Sequence, residues 1–325
     1  MTGASASGYS AKGARPCPDG HWMKLLILGG GGFIGTHVVD ALLDQGHSLR
    51  VFSRRGEMHR DPLPGIDYRI ADLADTAALV SALDGCDAVL HLITATHPAS
   101  AERDPRADVE GNLLGSLQVL QAMQTVGVTR LLYLSSGGVV YGVPDTLPIP
   151  ERHALRPIAS YGIVKAAIER YIAVATQKGV RAAVIRPANI YGPRQTHTAN
   201  PGFITTALLR LAQDEPLPIF GDGLVVRDYL HVRDLAELCL LTLAADETLT
   251  LNAGSGHGLT LLEVAGAIER VTGRTLRLQF IAARPIDVPV SVLDCSLAKS
   301  RLGWTPRVAL EEGLAETWDW VRSQG

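Results

Sequence analysis

The chain has little of what would mark several classes of protein. Its four cysteines, Cys17, Cys86, Cys239 and Cys295, are far apart along 325 residues. That spacing suits neither a disulfide framework nor a metal site, so they read as reduced thiols of a cytoplasmic protein with no metal. The net charge is only −3, and the basic residues are scattered. A nucleic-acid partner held by a phosphate-binding face is thereby excluded. No apolar run reaches the length of a membrane span, which excludes a membrane partner. Residues 1–22 are rich in Gly, Ser and Ala and lack the hydrophobic run of a signal peptide. They read as a disordered tail.

What remains is a globular composition, 46% apolar and 19% charged, with enough chain for one large domain or two ordinary ones. From Lys24 strand and helix patterns alternate. The spacing predicts strands at Lys24–Leu28, Ser48–Phe52, Tyr68–Ile70, Ala88–Leu92, Arg130–Leu134 and Arg181–Ile185. Helices fall between them, at Phe33–Gln45, Thr76–Leu83, Val109–Val126 and Ser160–Gln177. This rhythm implies an α/β fold with a doubly wound parallel (Rossmann) sheet and right-handed crossovers. After Arg186 the rhythm breaks among prolines and glycines. A second, smaller α/β substrate lobe is expected from 189–224 and 253–325, with residues 23–188 and about 225–252 forming the dinucleotide-binding domain.

Two motifs carry the chemistry. Gly29-Gly30-Gly31-Gly32-Phe33-Ile34-Gly35 follows an apolar strand and opens a helix. In that context glycines let backbone amides approach a pyrophosphate at the helix N-terminus. Where such folds usually place an acidic residue for the adenosine ribose, this chain has Ser53, Arg54 and Arg55. Arg54 either accommodates a 2′-phosphate or is a solvated surface charge, so the cofactor is NAD or NADP. Tyr161 and Lys165 lie four residues apart on one helical face. An ammonium beside a phenol favours the phenolate and is expected to draw its pKa down from about 10, toward the range useful for proton transfer.

Further segments share an order with these motifs: Asp72-Leu73, HLITA at 91–95, Asn112 in NLLGSLQVLQA, LSSGGVVYG at 134–142 and SYGIVK at 160–165. RPANIYGPR at 186–194, IFGDGLVVRDYLHVRDLA at 219–236, LNAGSG at 251–256, RPIDV at 284–288 and LGWTP at 302–306 continue it. In all of these the chain resembles the extended short-chain dehydrogenase/reductases, specifically the NAD-dependent epimerase/dehydratase family. The resemblance implies that Gly29, Gly32, Phe33, Ile34 and Gly35 hold the dinucleotide and that Asp72 and Leu73 meet the adenine. It implies Leu92, Thr94 and Asn112 on the nicotinamide side, and Tyr161 and Lys165 as the catalytic pair, Lys165 also bonding the nicotinamide ribose. Asn189, Arg227 and Arg284 would hold the diphosphate of a sugar nucleotide, with Arg194 in the same substrate set and Asp287 on a ribose hydroxyl. Arginine suits that task because it is always charged and bidentate. For Arg227 the competing reading is a salt bridge to adjacent Asp228. A homodimer is also implied, joined through Val109–Val126 and Ser160–Gln177. Leu113, Leu117, Leu120, Ile168 and Ile172 are its expected apolar contacts.

One departure narrows the reaction. The family's usual Ser or Thr, four residues before the tyrosine of its V-Y-G turn, is Gly137 here, and Gly138 follows. Ser136, one place earlier, becomes the third catalytic group, while Ser135 reads as a strand end. Dehydratases and decarboxylases of the family need acidic groups where this chain has glycines, so the pattern disfavours both reactions. The expectation is a nucleotide-sugar 4-epimerase of the UDP-hexose type, working through a 4-keto intermediate. The alternative is an NADPH-dependent reductase of a 4-keto nucleotide sugar, and a third reading is a non-catalytic dinucleotide sensor.

Overall fold

The apolar run Lys24–Leu28 forms β1, with four of its five residues buried. It is followed by α1 (Phe33–Asp44), β2 (Ser48–Ser53), β3 (Asp67–Ile70), α2 (Thr76–Leu83) and β4 (Ala88–His91). Next come α3 (Pro98–Arg103), α4 (Pro105–Asp108), a π-helical turn at Val109–Leu114, α5 (Gly115–Val126) and β5 (Arg130–Leu134). Then follow α6 (Gly137–Val140), α7 (Ser160–Thr176) and β6 (Arg181–Pro187). This computed structural model describes residues 22–196, 202–283 and 288–324. The expected tail, apart from Trp22, lies outside those residues, as do Arg284 and Asp287.

Beyond β6 the chain forms β7 (Asn189–Tyr191), α8 (Phe203–Ala212), β8 (Leu217–Phe220), β9 (Val226–His231) and α9 (Val232–Ala245). β10 (Leu249–Ala253), β11 (Gly258–Thr260), α10 (Leu261–Thr272), β12 (Leu278–Ile281) and β13 (Val290–Ser291) come next. The last helices are α11 (Ser296–Leu302) and α12 (Leu310–Ser323).

Seven strands make one parallel sheet, ordered β10-β6-β5-β4-β1-β2-β3. Successive side chains of β1 point to opposite faces. Leu25 and Ile27 join the core beneath α1 and α9, whereas Leu26 and Leu28 join the one beneath α2, α5 and α7. A strand covered on both faces has no solvated side, which is why β1 reads as an unbroken apolar run.

β9 runs in the sheet of the smaller lobe, between β11 and β13 and paired also with β7. α9 and β10 return to the larger lobe, with α9 packed on α1 and β10 at the sheet edge. The smaller lobe has its own core, centred on Leu208, Ile219, Val264, Ile268, Leu314 and Trp318. The larger lobe holds a buried polar network at the β6–β10 edge of its sheet. Arg186 donates to Glu169 at 2.5 Å and to the Tyr141 hydroxyl at 2.9 Å, and Tyr141 donates to Asn252 at 2.7 Å. Asn252 in turn donates to the Ile149 and Asp294 carbonyl oxygens.

The helix expected at Val109–Val126 is divided. Its first six residues are π-helical, and only 115–126 are α-helical. Gly111 permits the turn to sit close against the β4 end, since a Cβ there would stand 2.7 Å from the Ala95 Cβ. A π-turn shifts the side chains beyond it relative to an α-helix, and such turns collect at functional sites. Four of the five apolar contacts expected for the dimer, all but Leu117, point elsewhere. Ile168 and Ile172 are buried, and Leu113 and Leu120 pack against the same core under the sheet. The outward face of α7 instead carries Ile163, Tyr171 and Val174, and Leu114 on the π-turn is also exposed.

Candidate active site

The glycine loop spans the head of β1 and the start of α1. Gly29 has φ of +86°, a conformation open to glycine at no steric cost. A Cβ on Gly35 would stand 2.1 Å from the Gly29 carbonyl oxygen, so the helix can only close on the loop if residue 35 is glycine. α1 begins at Gly32 and no side chain caps it. Its first-turn amides, with the positive end of the helix dipole, form a cradle for a pyrophosphate. The loop and its neighbours fit a dinucleotide on that ground.

Ser53, Arg54, Asp72 and Leu73 are the residues expected at the adenosine end. Ser53 ends β2 and donates its hydroxyl to the Arg55 carbonyl oxygen. Arg54 stands 3.8 Å from the Asp72 carboxylate, and both side chains are mostly exposed. Asp72 also accepts from the Ala74 amide at 2.9 Å, and Leu73 is buried beneath it. At the other end, Leu92 and Thr94 follow β4. The Thr94 hydroxyl lies 3.5 Å from the Tyr161 hydroxyl. Asn112, carried by the π-turn, accepts from the Ala95 amide at 2.7 Å and donates to Thr96 at 2.7 Å. It holds the loop after β4 in place.

Tyr161 and Lys165 occupy the first turns of α7, over the ends of β4 and β5. The Lys165 ammonium donates to the Leu134 carbonyl oxygen at 3.0 Å. It also lies 4.9 Å from the Tyr133 ring centroid and 5.8 Å from that of Tyr161. Burial lowers the Lys165 pKa to about 8, against the pull of Asp108 and Glu169. The expected lowering of the Tyr161 pKa is not met by these residues alone. Burial pushes the phenol up from its ordinary value, Thr94 pulls it down by hydrogen bonding, and the Asp108 charge adds to the rise. Desolvation of the phenolate outweighs a lysine held against a backbone carbonyl.

The two serines after β5 are distinguished by their partners. Ser135 is buried and donates to Glu169 at 2.5 Å, so its hydroxyl belongs to the network with Arg186. Ser136 is half-buried, extended in backbone, and begins α6 without capping it by its side chain. A Cβ at Gly137 would stand 2.9 Å from the Arg186 carbonyl oxygen and closer still to Leu293. The close packing excludes a serine there and explains why the hydroxyl is found one place earlier.

In the smaller lobe, Asn189 donates to the Asp228 carbonyl oxygen at 2.9 Å. Arg227 donates to the Val288 carbonyl oxygen at 2.6 Å and to its neighbour Val226. Arg227 and Asp228 are successive residues of β9 and so point to opposite faces. The Asp228 carboxylate accepts from Ser255 and from the Gly256 and Leu293 amides. Arg194 is placed against the larger lobe. With φ of +71°, it turns its guanidinium onto Asp40 of α1 at 2.7 Å, where Arg60 also binds. Asp108, Thr96, Ser160, Glu169 and Arg186 also surround the pair, and the sequence alone assigns none of them a role, although Ser160 and Arg186 open two of the shared motifs. For Asp108 there is a signal, its i,i+4 spacing from Asn112. The others are joined only by the fold.

A glycine cradle and a tyrosine–lysine pair at the carboxyl ends of a parallel sheet define an enzyme that binds a dinucleotide and moves a proton beside it. The chain belongs to the NAD dependent epimerase/dehydratase family, whose profile matches residues 25–254. It is 31% identical over 316 residues to a UDP-glucose 4-epimerase of Rhizobium leguminosarum bv. trifolii, covering 91% of this chain and 96% of that protein. The crystal structure of a UDP-glucose 4-epimerase from Thermotoga maritima, with UDP-glucose, superposes with a TM-score of 0.89 at 32% identity, covering 93% and 99% of the two chains. The UDP-glucose 4-epimerase of Thermus thermophilus, in complex with NAD, gives 0.88 at 32% identity, covering 93% and 100%.

The two serines should separate in experiment. Ser136→Ala is expected to lower kcat by about 10²-fold, in the range of acid–base groups, with little change in the denaturation midpoint. Ser135→Ala should act the other way, costing about 1–3 kcal/mol of stability in urea titrations because Glu169 loses a buried partner. If Ser135→Ala is the variant that loses kcat at unchanged stability, the register through Gly137 is wrong.

Proposed function

We propose that this chain is a nucleotide-sugar 4-epimerase of the UDP-hexose type, using NAD. The observation that carries the reading is the Tyr161–Lys165 pair set beside Thr94 and Ser136, together with full-length similarity to UDP-glucose 4-epimerases. Bound NAD would supply a reversible acceptor for the C4 hydride and a positive charge that favours a phenolate. The protein's own part is proton handling and orientation. Tyr161 takes the proton of the sugar 4-hydroxyl and later returns one to the 4-keto oxygen. Ser136 donates a hydrogen bond to that oxygen. Lys165 stabilises the phenolate and holds the ribose of the cofactor. Asn189, Arg227 and Arg284 are the residues assigned to the nucleotide diphosphate, and Asp287 to a ribose hydroxyl. Arg194 is assigned to the same set, though its present partner is Asp40. A single site that oxidises and then reduces C4 needs no net cofactor, and this separates the epimerase from a ketoreductase.

The adenosine site also suits NADP. Ser53 brings no negative charge, and Arg54 is exposed with only a long contact to Asp72. A homodimer built on the outward faces of α5 and α7 accounts for the exposed Ile163, Tyr171 and Val174. The described cysteines Cys86, Cys239 and Cys295 are free thiols, which supports a cytoplasmic setting. No described helix is long and apolar enough to cross a membrane.

Purified protein should convert UDP-glucose to UDP-galactose without consuming NADH or NADPH. Stoichiometric consumption of NADPH would favour the reductase instead. Tyr161→Phe should bind NAD normally and lose about 10²–10⁴-fold in kcat, because it removes only the hydroxyl. Activity within a few-fold of wild type would end its assignment.

Arg54→Ala should weaken NADP binding by about 1.5–3 kcal/mol and leave NAD little changed, since only the extra phosphate meets the guanidinium. Equal losses for the two cofactors in a fluorescence titration would return Arg54 to the solvated surface. Light scattering at micromolar concentration should report a dimer, and a monomer would reject the helical interface.

A further inference from the structure

A buried carboxylate stands behind the catalytic pair and takes no part in the chemistry assigned above. Asp108, at the end of α4, is fully inaccessible to solvent. Its Oδ1 accepts from the Thr96 hydroxyl at 2.7 Å and from the Asn112 amide at 2.8 Å. Its Oδ2 accepts from the Ser160 hydroxyl at 3.0 Å. These three donors belong to three different walls of the site. Thr96 lies on the loop that carries Thr94, Asn112 on the π-turn, and Ser160 at the start of α7, directly before Tyr161.

We propose that Asp108 is a positioning residue and the fixed counter-charge of the Tyr161–Lys165 pair, setting the three walls through its hydrogen bonds and the proton distribution of the pair through its charge. The proposal rests on the reading of that pair as the proton-handling groups.

The geometry supports both parts. Asn112 and Thr96 bond to each other as well as to Asp108, so the three groups close a triangle that fixes the loop after β4. Ser160 is held twice, its amide by Glu102 of α3 at 2.7 Å and its hydroxyl by Asp108. Tyr161 therefore starts from an anchored backbone, and its hydroxyl meets Thr94 from an anchored loop. A carboxylate satisfied by neutral donors in a dry interior keeps a strong field around it.

The groups around the pair give that field its direction. From β4, His91 faces Lys165 and is kept neutral, its pKa pushed down to about 3 by burial. From β5, Tyr133 places its ring under the ammonium. Within α7, Glu169 is an anion, but it is matched by Arg186 of β6 at 2.5 Å. Glu102 of α3 is exposed. Among these groups, Asp108 is the buried anion held by neutral donors alone. Its charge raises the proton affinity of Lys165 and also of Tyr161. The same carboxylate thus keeps the ammonium charged and restrains the phenol from ionising too early.

Asp108→Asn tests the charge with the shape retained. The amide oxygen can still accept from Thr96 and Asn112, and the amide nitrogen can donate to Ser160 Oγ, whose hydroxyl only has to rotate. Removing the anion makes both Tyr161 and Lys165 release protons more readily. The acid limb of the kcat–pH profile follows Tyr161 ionisation and the alkaline limb follows loss of the Lys165 charge. Both limbs of the NAD-bound enzyme should therefore move to lower pH, by about one unit. Asp108→Ala also loses the anchors, and its kcat should fall by about 10–100-fold at every pH, because misplacement by an ångström has that effect.

Limbs that stay in place in Asp108→Asn, or move to higher pH, would overturn the counter-charge. Asp108→Ala matching Asp108→Asn at every pH would overturn the anchoring role. A second readout is independent of turnover: the ultraviolet difference titration of tyrosinate in NAD-bound protein, with Tyr161→Phe assigning the signal. That signal should move to lower pH in Asp108→Asn, and no movement would again overturn the proposal. If the wild type epimerises no sugar nucleotide, the functional reading fails while this titration still decides the role of Asp108.

Discussion

The bond from the Lys165 ammonium to the Leu134 carbonyl oxygen is the joint on which the site depends. Leu134 is the last residue of β5, and Lys165 lies one turn into α7. Their contact ties the helix that carries Tyr161 to the strand end that leads into Ser136. A buried ammonium needs a partner, and a strand-end carbonyl supplies one without neutralising the charge. Burial lowers the lysine pKa only to about 8, so it stays largely protonated near neutral pH. Tyr161 and Lys165 are thus fixed on a regular element, where packing limits their movement.

Behind that joint two polar systems do different work. Ser135, Glu169, Arg186, Tyr141 and Asn252 form a chain from the end of β5 to the edge strand β10. Breaking such a pair by removing one member leaves a buried charge without compensation, and this makes the chain a strong fastening. Asp108, Asn112, Thr96 and Ser160 form the other system, which ties the loop after β4, the π-turn and the start of α7 to one another. The first system fastens β5, β6, α7 and β10 to one another, and the second holds the backbone on either side of Tyr161.

The chemistry follows from charge placement. A phenol in a dry site resists ionisation, and the pKa of Tyr161 is raised accordingly. An enzyme that lends and recovers a hydride within one site benefits from a phenol that ionises only when further positive charge arrives. Reaction is then coupled to a loaded cofactor site. The 4-epimerase reading and the raised phenol are consistent with each other on this ground.

Much of this was legible in the chain itself. The apolar runs of β1, β4 and β5 and the amphipathic helices between them define a parallel sheet, because burial on both faces leaves no other pattern open to them. The glycines at 29–35 and the spacing of Tyr161 and Lys165 also speak locally, through φ angles and helical periodicity. Other features depend on residues distant in sequence, and no period reveals them. The π-turn that carries Asn112 sits close against Ala95, with Gly111 leaving the room. Arg194 turns to Asp40, 154 residues away, although its motif suggested the substrate set. Ile168 and Ile172 face the sheet and Ile163, Tyr171 and Val174 face outward, a choice between two apolar stripes of one helix. The chain by itself determined the strands, the glycine cradle and the helical spacing of Tyr161 and Lys165. Their charges, partners and accessible faces were decided only when distant segments met in a low-dielectric interior, where each neighbour changes the cost of a proton.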